Sequence, residues 1–266
     1  MQGLIIAGGL ATRLRPLTLV TNKHLLPVYD KPMIYYPIEA MQKAGIKEVL
    51  LTSAGESISQ FANLLKSGEE FGIRLYYGVQ QNPKGGIADA IAVAEEFTRD
   101  EPLLLILGDN IFEDDFSKVI KKFNSGGHIF AKKVYDPERF AVAQFNKKWE
   151  ILKIIEKPKK FISPFAIPGL YLYDHRIVEV AKKLNPSNRG ELEIVDCHNY
   201  YLKKSELKVT KIEGAWMDAG TPNALLEAAN TVKRKKIYEK FDPIVKKALK
   251  EYCENHKGIV KKRLRQ

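Results

Sequence analysis

The strongest constraint on the fold is a series of short, almost unbroken apolar runs, each followed by a helical pattern. "GLIIA" at 3–7, "EVLLT" at 48–52, "LYYGV" at 75–79 and "LLLIL" at 103–107 read as strands. The stretches 33–44, 57–71, 87–98 and 115–123 carry apolar residues at helical spacing. A strand apolar on both sides has no face to turn to water, so it belongs in a parallel sheet with helices over both faces. Strand–helix alternation then demands right-handed βαβ crossovers. The expected fold is α/β: a doubly wound, mixed and mainly parallel sheet of Rossmann-like form.

The second half changes character. "HIFAKKV", "FAVAQF", "WEILKIIEKP" and "GLYLYD" are short strand patterns with little helix between them. They predict an antiparallel extension of the same sheet. Helices are expected at 177–183 and 193–204, a strand in "LKVTKIE", and helix from Pro222 nearly to the end, broken at Asp242-Pro243. No repeat, low-complexity segment or linker interrupts the 266 residues. The expected organisation is one catalytic domain over 1–230 and a basic helical C-terminal appendage over 231–266.

The formal net charge of +11 invites a nucleic-acid reading, but its distribution argues against one. Residues 233–266 hold thirteen Lys/Arg against four Asp/Glu, which leaves the rest of the chain near neutrality. A basic helical tail with few aromatics reads better as a solvated face or subunit contact than as a nucleic-acid site. Cys197 and Cys253 lie far apart, and His24, His128, His175, His198 and His256 are scattered, so neither set has zinc-ligand spacing. No apolar run approaches the roughly 20 residues of a membrane span. The N-terminus enters a strand pattern at once, and a cytoplasmic setting is expected.

In an open α/β sheet, ligands bind beyond the carboxyl ends of the strands. Two such ends carry polar residues here: "AGGLATR" after the first strand and "LGDN" after the strand at 103–107. Gly8 and Gly9 let a ligand approach the backbone, whose N–H groups form an anion nest. Arg13 adds a fork of donors suited to phosphate oxygens. Asp109 places a carboxylate where a hard cation can be held. Neither G-x-x-x-x-G-K-[ST] nor G-x-G-x-x-G occurs, so the usual kinase and dehydrogenase readings lose their main support. Taken alone, a GG turn reads equally well as a tight structural turn.

"GGLATRLRPLT", "NKHLLPVYDKPMIYYPIEAMQKAGI", "LGDNIF", "DPERFAVAQF", "EKP", "GLYLYD", "RGELEIVD" and "AWMDAGT" follow one another along the chain. In that order they resemble the signatures of the sugar-1-phosphate nucleotidyltransferases. The resemblance runs from Leu4 to about Asn230 and is nearest to members that use thymidine triphosphate and glucose 1-phosphate. It implies that a sugar 1-phosphate attacks the α-phosphorus of a nucleoside triphosphate, giving a nucleotide-sugar and pyrophosphate. dTTP or UTP and glucose 1-phosphate are the favoured substrates, with Mg²⁺ as cofactor. The attacking phosphate is already an anion, so no general base is required and catalysis reduces to alignment and charge neutralisation. Homo-oligomers are common in the family; neither nucleic acid nor membrane is an expected partner.

The same resemblance assigns roles. Gly8, Gly9, Ala11 and Thr12 line the triphosphate loop, and Arg13 and Lys23 neutralise phosphate. Gln80 and Gly85 fall in the base-binding loop. Asp109 and Asp218 match the metal-binding pair. Lys157 is expected to grip the sugar phosphate and Glu156 to accept sugar hydroxyls. Asn110, Ala141, Tyr171 and Arg189 fall on the sugar side. Several positions depart from the family pattern: Ala11 and Ala141 replace glycines, Phe140 a tyrosine, Gln144 a glutamate and Pro168 a threonine. "GGIADAI" is one residue longer than its counterpart and carries Asp89. Because alanine disfavours positive φ, the loop is expected to stay right-handed at Ala11. The remaining alternatives are a guanylyl- or cytidylyltransferase of the same family, and a non-catalytic nucleotide-sugar-binding regulator.

Overall fold

A computed structural model describes residues 1–80, 82, 85–187 and 190–235. β1 (Gln2–Ile6) leads through three 3-10 turns into a small ribbon, β2 (Pro27–Val28) and β3 (Lys31–Pro32). α1 (Tyr35–Lys43), β4 (Glu48–Ser53), α2 (Gly55–Leu65) and β5 (Arg74–Val79) follow. α3 (Gly86–Val93) and the single turn α4 (Glu95–Thr98) precede β6 (Leu103–Leu107). After β7 (Asn110–Phe112) and α5 (Ser117–Lys121) come five strands, β8 (Gly127–Lys133), β9 (Ala141–Phe145), β10 (Ile151–Glu156), β11 (Phe165–Ala166) and β12 (Leu170–Tyr173). α6 (Ile177–Lys182), α7 (Ile194–Lys203), β13 (Leu207–Lys211), β14 (Trp216–Asp218) and α8 (Pro222–Lys235) complete the described chain.

The main sheet runs β10-β9-β11-β8-β12-β6-β1-β4-β5, with β13 added in parallel to β8. β1 lies parallel to both neighbours, Ile5 facing Leu51 on one side and Ile106 on the other. The chain therefore winds outward from β1 to β4 and β5, then returns to β6 on the far side. That reversal between β1 and β6 opens the crevice where such sheets bind ligands. Beyond β6 the strands other than β13 pair antiparallel, as Tyr171 opposite Leu105 and Ile129 illustrates.

Alternation along the strands divides the core. Leu4 and Ile6 of β1, with Leu103, Leu105, Tyr171 and Tyr173, pack under α3, α6 and α7. Ile5, Leu51, Leu104, Ile106 and Leu172 pack under α1, α2 and α5. Each such aliphatic side chain contributes roughly 1.5–3 kcal/mol on burial, so both faces are held by helices. A third cluster joins Ala228 and Val232 of α8 to Val28, Met33, Tyr36, Ile111 and Ala219. α8 runs on past residue 230 to Lys235, with Val232 fully buried.

Three helical expectations are cut back or divided, that at 115–123 contracting to Ser117–Lys121. The pattern at 57–71 stops at Leu65, because Lys66 turns left-handed at φ 50° and Gly68 follows at φ 83°. The pattern at 87–98 divides at buried Ala94 into α3 and α4. No helix among the described residues is long and apolar enough to cross a membrane. Arg189 and the segment from 236 onward, with Cys253, His256 and the expected break at Asp242-Pro243, lie outside the described residues.

Candidate active site

A cavity of about 350 Å³ opens over the carboxyl ends of β1 and β6. Gly8, Gly9, Arg13, Lys23, Gln80, Asp109, Asn110, Ala141, Glu156, Lys157, Tyr171 and Asp218 all line it. The carboxyl ends of β1, β5 and β6 bring the first part of this set together. The antiparallel strands bring Ala141, Glu156, Lys157 and Tyr171, and the β7–β14 ribbon brings Asn110 and Asp218.

Three of the proposed residues lie outside the lining. Thr12 sits in a 3-10 turn, Thr12–Leu14, behind the glycines. Gly85 turns away from the cavity and accepts the Leu192 N–H through its carbonyl at 3.2 Å. Gly86 lines the cavity in its place, at φ 79°, where a Cβ would come within 2.7 Å of the Leu192 carbonyl oxygen. Ala11 overturns the expected right-handed loop: its φ is 47° and ψ 35°. The carbonyl of Ala11 accepts the Leu14 N–H and the Thr18 hydroxyl, each at 3.0 Å. With Leu14 fully buried, these anchors outweigh the roughly 1–2 kcal/mol that a left-handed alanine costs.

The glycines serve close approach. A Cβ on Gly8 would come within 2.3 Å of Gln80 Oε1. The Gln80 amide donates from Nε2 to the Gly86 carbonyl at 3.1 Å, so its orientation is fixed across the loop ends. Gly220 likewise leaves room for the Arg13 guanidinium, whose Nη2 would lie 3.1 Å from a Cβ there. Arg13 is thereby set against the turn that follows Asp218.

Electrostatics separate the two aspartates. Burial pushes the Asp109 carboxyl up, but the Lys23 ammonium overcomes this and holds it well below the usual carboxylate range. Lys23 Nζ donates directly to Asp109 Oδ2, both side chains being largely buried. Burial and the charge of Asp109 push Asp218 up to about 6, against the opposing pull of Lys23, Arg13 and Arg139. The pair is thus close enough for mutual repulsion. His24, also in the lining, is held down at about 3 by burial, so its imidazole is neutral.

Asn110 is committed to internal partners. Its Oδ1 accepts the Trp216 indole N–H at 2.7 Å and the Gly169 N–H at 2.9 Å, and its Nδ2 donates to Asp109 Oδ1 at 3.0 Å. The expected sugar-side role leaves it one free amide hydrogen. Lys157 stands at the end of β10 with φ 41°, its Nζ 3.6 Å from Glu156 Oε1. Tyr171 is buried in β12 with its phenol pKa driven up, first by burial and then by Glu156 and Asp109.

Sequence reasoning missed His24, Gly86, Arg139, Glu191, Leu192, Glu193 and Trp216 as lining residues. The signal lay inside motifs already singled out: "NKHLLP", "DPERF", "RGELEI" and "AWMDAGT". Among the described residues the lining carries Asp109, Glu156, Glu191, Glu193 and Asp218 against Arg13, Lys23, Arg139 and Lys157. Carboxylates and cationic side chains thus stand together among the described residues of the lining. No group of three or more His, Cys, Asp or Glu residues is arranged for a metal among the described residues. Two hard carboxylates, Asp109 and a repelled Asp218, are a donor set suited to Mg²⁺, which draws its other ligands from water and substrate phosphate.

The glycine loop, the two aspartates and the basic side chains thus meet at the reversal of the sheet, where open α/β sheets bind ligands. The family model described as nucleotidyl transferase matches residues 2–235, and the chain belongs to that family. The chain is 47% identical over 239 residues to glucose-1-phosphate thymidylyltransferase of Neisseria gonorrhoeae, covering 87% of this chain and 82% of the relative. It is 43% identical over 238 residues to the enzyme of the same name from Actinoplanes sp., covering 88% of this chain and 78% of that protein. A crystal structure of a Bacillus anthracis protein described as a glucose-1-phosphate thymidylyltransferase, in complex with a sucrose, superposes with a TM-score of 0.83. That structure is 41% identical and covers 87% of this chain and 94% of its own.

Proposed function

We propose that this enzyme transfers a nucleotidyl group from dTTP or UTP to glucose 1-phosphate. The observation that carries the reading is the meeting of Asp109, Asp218 and Arg13 in one cavity at the β1/β6 reversal. A phosphate oxygen of the sugar phosphate attacks the α-phosphorus. The bond from that phosphorus to the bridging oxygen breaks, and pyrophosphate leaves.

The chain's own residues supply position and charge. The loop at Gly8 and Gly9 offers backbone to the triphosphate, and Arg13 meets the charge that develops on the leaving pyrophosphate. Gln80 presents a fixed amide edge to the base. Lys157 holds the phosphate of the sugar, and Glu156 accepts sugar hydroxyls beside it. Asp109 and Asp218 would hold Mg²⁺, which when bound neutralises phosphate oxygens. Such charge, fixed before the reaction, needs no reorganisation as the transition state forms.

A cytoplasmic homo-oligomer belongs to the same reading. Leu17, Leu19 and Val20, exposed by 47, 66 and 83%, are apolar side chains suited to a subunit contact. Light scattering measures the assembly. The function itself is tested with a matrix of five nucleoside triphosphates against several hexose 1-phosphates, following pyrophosphate release. Nucleotide-sugar from dTTP or UTP with glucose 1-phosphate is expected; a preference for GTP or CTP would move the enzyme to a sister activity. Absence of product from every pair would overturn the reading.

A further inference from the structure

β7 and β14 form a ribbon of only three residue pairs, Trp216 opposite Phe112, Met217 opposite Ile111 and Asp218 opposite Asn110. So short a ladder specifies its register weakly, and a slip of one residue would turn Asp218 to the other face. Single backbone bonds flank the ladder, Glu113 N–H to the Ala215 carbonyl at 3.0 Å and Ala219 N–H to the Asp109 carbonyl at 3.1 Å, and side chains grip the segment that enters β14.

We infer that Lys132 and Asp114 are positioning residues for Asp218, acting through a clamp on the backbone of the segment that enters β14. This rests on the transferase reading above. Lys132 Nζ, at the end of β8 in the main sheet, donates to the carbonyls of Glu213 at 3.0 Å and Gly214 at 2.6 Å, with Ile212 at 3.5 Å. From the opposite side, the Asp114 carboxylate accepts the Glu213 N–H at 3.0 Å. It also accepts the Gly214 N–H at 2.9 and 3.0 Å through its two oxygens. The Ala215 N–H continues the series onto the Glu113 carboxylate at 2.8 Å.

The sequence is shaped to this arrangement. A Cβ at position 214 would sit 2.1 Å from Asp114 Oδ1, so only glycine admits the carboxylate. Asp114 follows β7 and Gly214 precedes β14, so one carboxylate sets both strands of the ribbon against each other. Lys132 ties that junction to the main sheet, which carries Asp109. Neither Lys132 nor Asp114 lines the cavity. Their effect reaches it through Trp216, whose indole is bonded to Asn110. Residues that orient ligand-bearing carboxylates typically cost 10–100-fold in metal affinity or activity when removed.

Lys132→Met keeps the length of the stem and removes the ammonium; Lys132→Arg restores donors; Asp114→Ala opens the other side. In a Trp149→Phe background, the emission of Trp216 reports its environment without substrate or metal. Lys132→Met and Asp114→Ala are expected to shift that emission to the red. Both should weaken Mn²⁺ binding, followed by electron paramagnetic resonance, and lower kcat at fixed Mg²⁺ by about tenfold or more. Lys132→Arg is expected to recover most of each. Unchanged Trp216 emission and Mn²⁺ affinity in Lys132→Met would overturn the inference, as would losses in kcat matched by the fall in Tm with both signals unmoved. If the parent protein makes no nucleotide-sugar, the transferase reading fails, while the emission shift still decides whether the clamp exists.

Discussion

The indole N–H of Trp216 donates to the side-chain oxygen of Asn110 at 2.7 Å, and Asn110 in turn donates to Asp109 at 3.0 Å. The strand carrying Asp218 is thereby fastened to the strand end carrying Asp109. The backbone joins the same two segments, the Ala219 N–H donating to the Asp109 carbonyl at 3.1 Å. Trp216→Phe keeps most of the packing against Phe140, which lies 4.9 Å away ring to ring, and removes only the bond. Stability is expected to fall by about 1 kcal/mol, the usual worth of one hydrogen bond. Turnover should fall by about tenfold, as when a carboxylate's orienting partner is lost. Thermal melts and steady-state kinetics check the two values.

Asp218 sets a pH dependence in the metal-free protein. Its folded pKa of about 6 lies above the ordinary value of 3.8. The folded state therefore binds more protons than the unfolded state across that window, and stability falls as pH rises through it. Above about pH 7 the full penalty is present, on the order of 3 kcal/mol at about 1.36 kcal/mol per unit. With chelator present, Asp218→Asn is expected to melt higher than the parent at pH 8. The difference should shrink toward pH 4. A constant difference across that range would contradict the assignment.

Lys23 and Asp109 form a largely buried ion pair. Removing one partner strands the other, at a cost of about 3–5 kcal/mol for a buried pair. Lys23→Met should therefore destabilise the fold strongly. Adding Asp109→Asn to it should return much of the lost Tm, because the stranded charge is gone, while activity stays absent. A double-mutant cycle of thermal melts, read beside turnover, tests both halves.

Ala11 stores strain in a left-handed conformation. Ala11→Gly removes the Cβ penalty of roughly 1–2 kcal/mol, partly offset by the greater freedom of glycine in the unfolded chain. A net gain of about 0.5–1 kcal/mol is expected, with kcat nearly unchanged because Ala11 does not line the cavity. Differential scanning calorimetry measures the gain.

The sheet was legible because its strands are apolar on both faces; "LLLIL" falls within the first and second core clusters alternately. The place of the cavity was legible for the same reason, since Gly8, Gly9 and Asp109 follow β1 and β6 and line it. What escaped was set by tertiary contact. No periodicity announces that Leu14, Thr18 and Ala11 lock a left-handed turn. Nor could spacing choose between Gly85 and Gly86, because the choice depends on where Leu192 passes. The internal role of Asn110 required the Trp216 indole, more than a hundred residues away, to arrive at its oxygen.

The most direct measurement is pyrophosphate release from dTTP and glucose 1-phosphate across a Mg²⁺ series, for the parent enzyme, Asp109→Asn and Asp218→Asn. The account predicts turnover by the parent only with added metal, and a loss of about 100-fold or more in each variant, the scale set by removing a preorganised charge from a transition state. Metal-independent turnover by the parent, or either variant turning over at the parental rate, would contradict it.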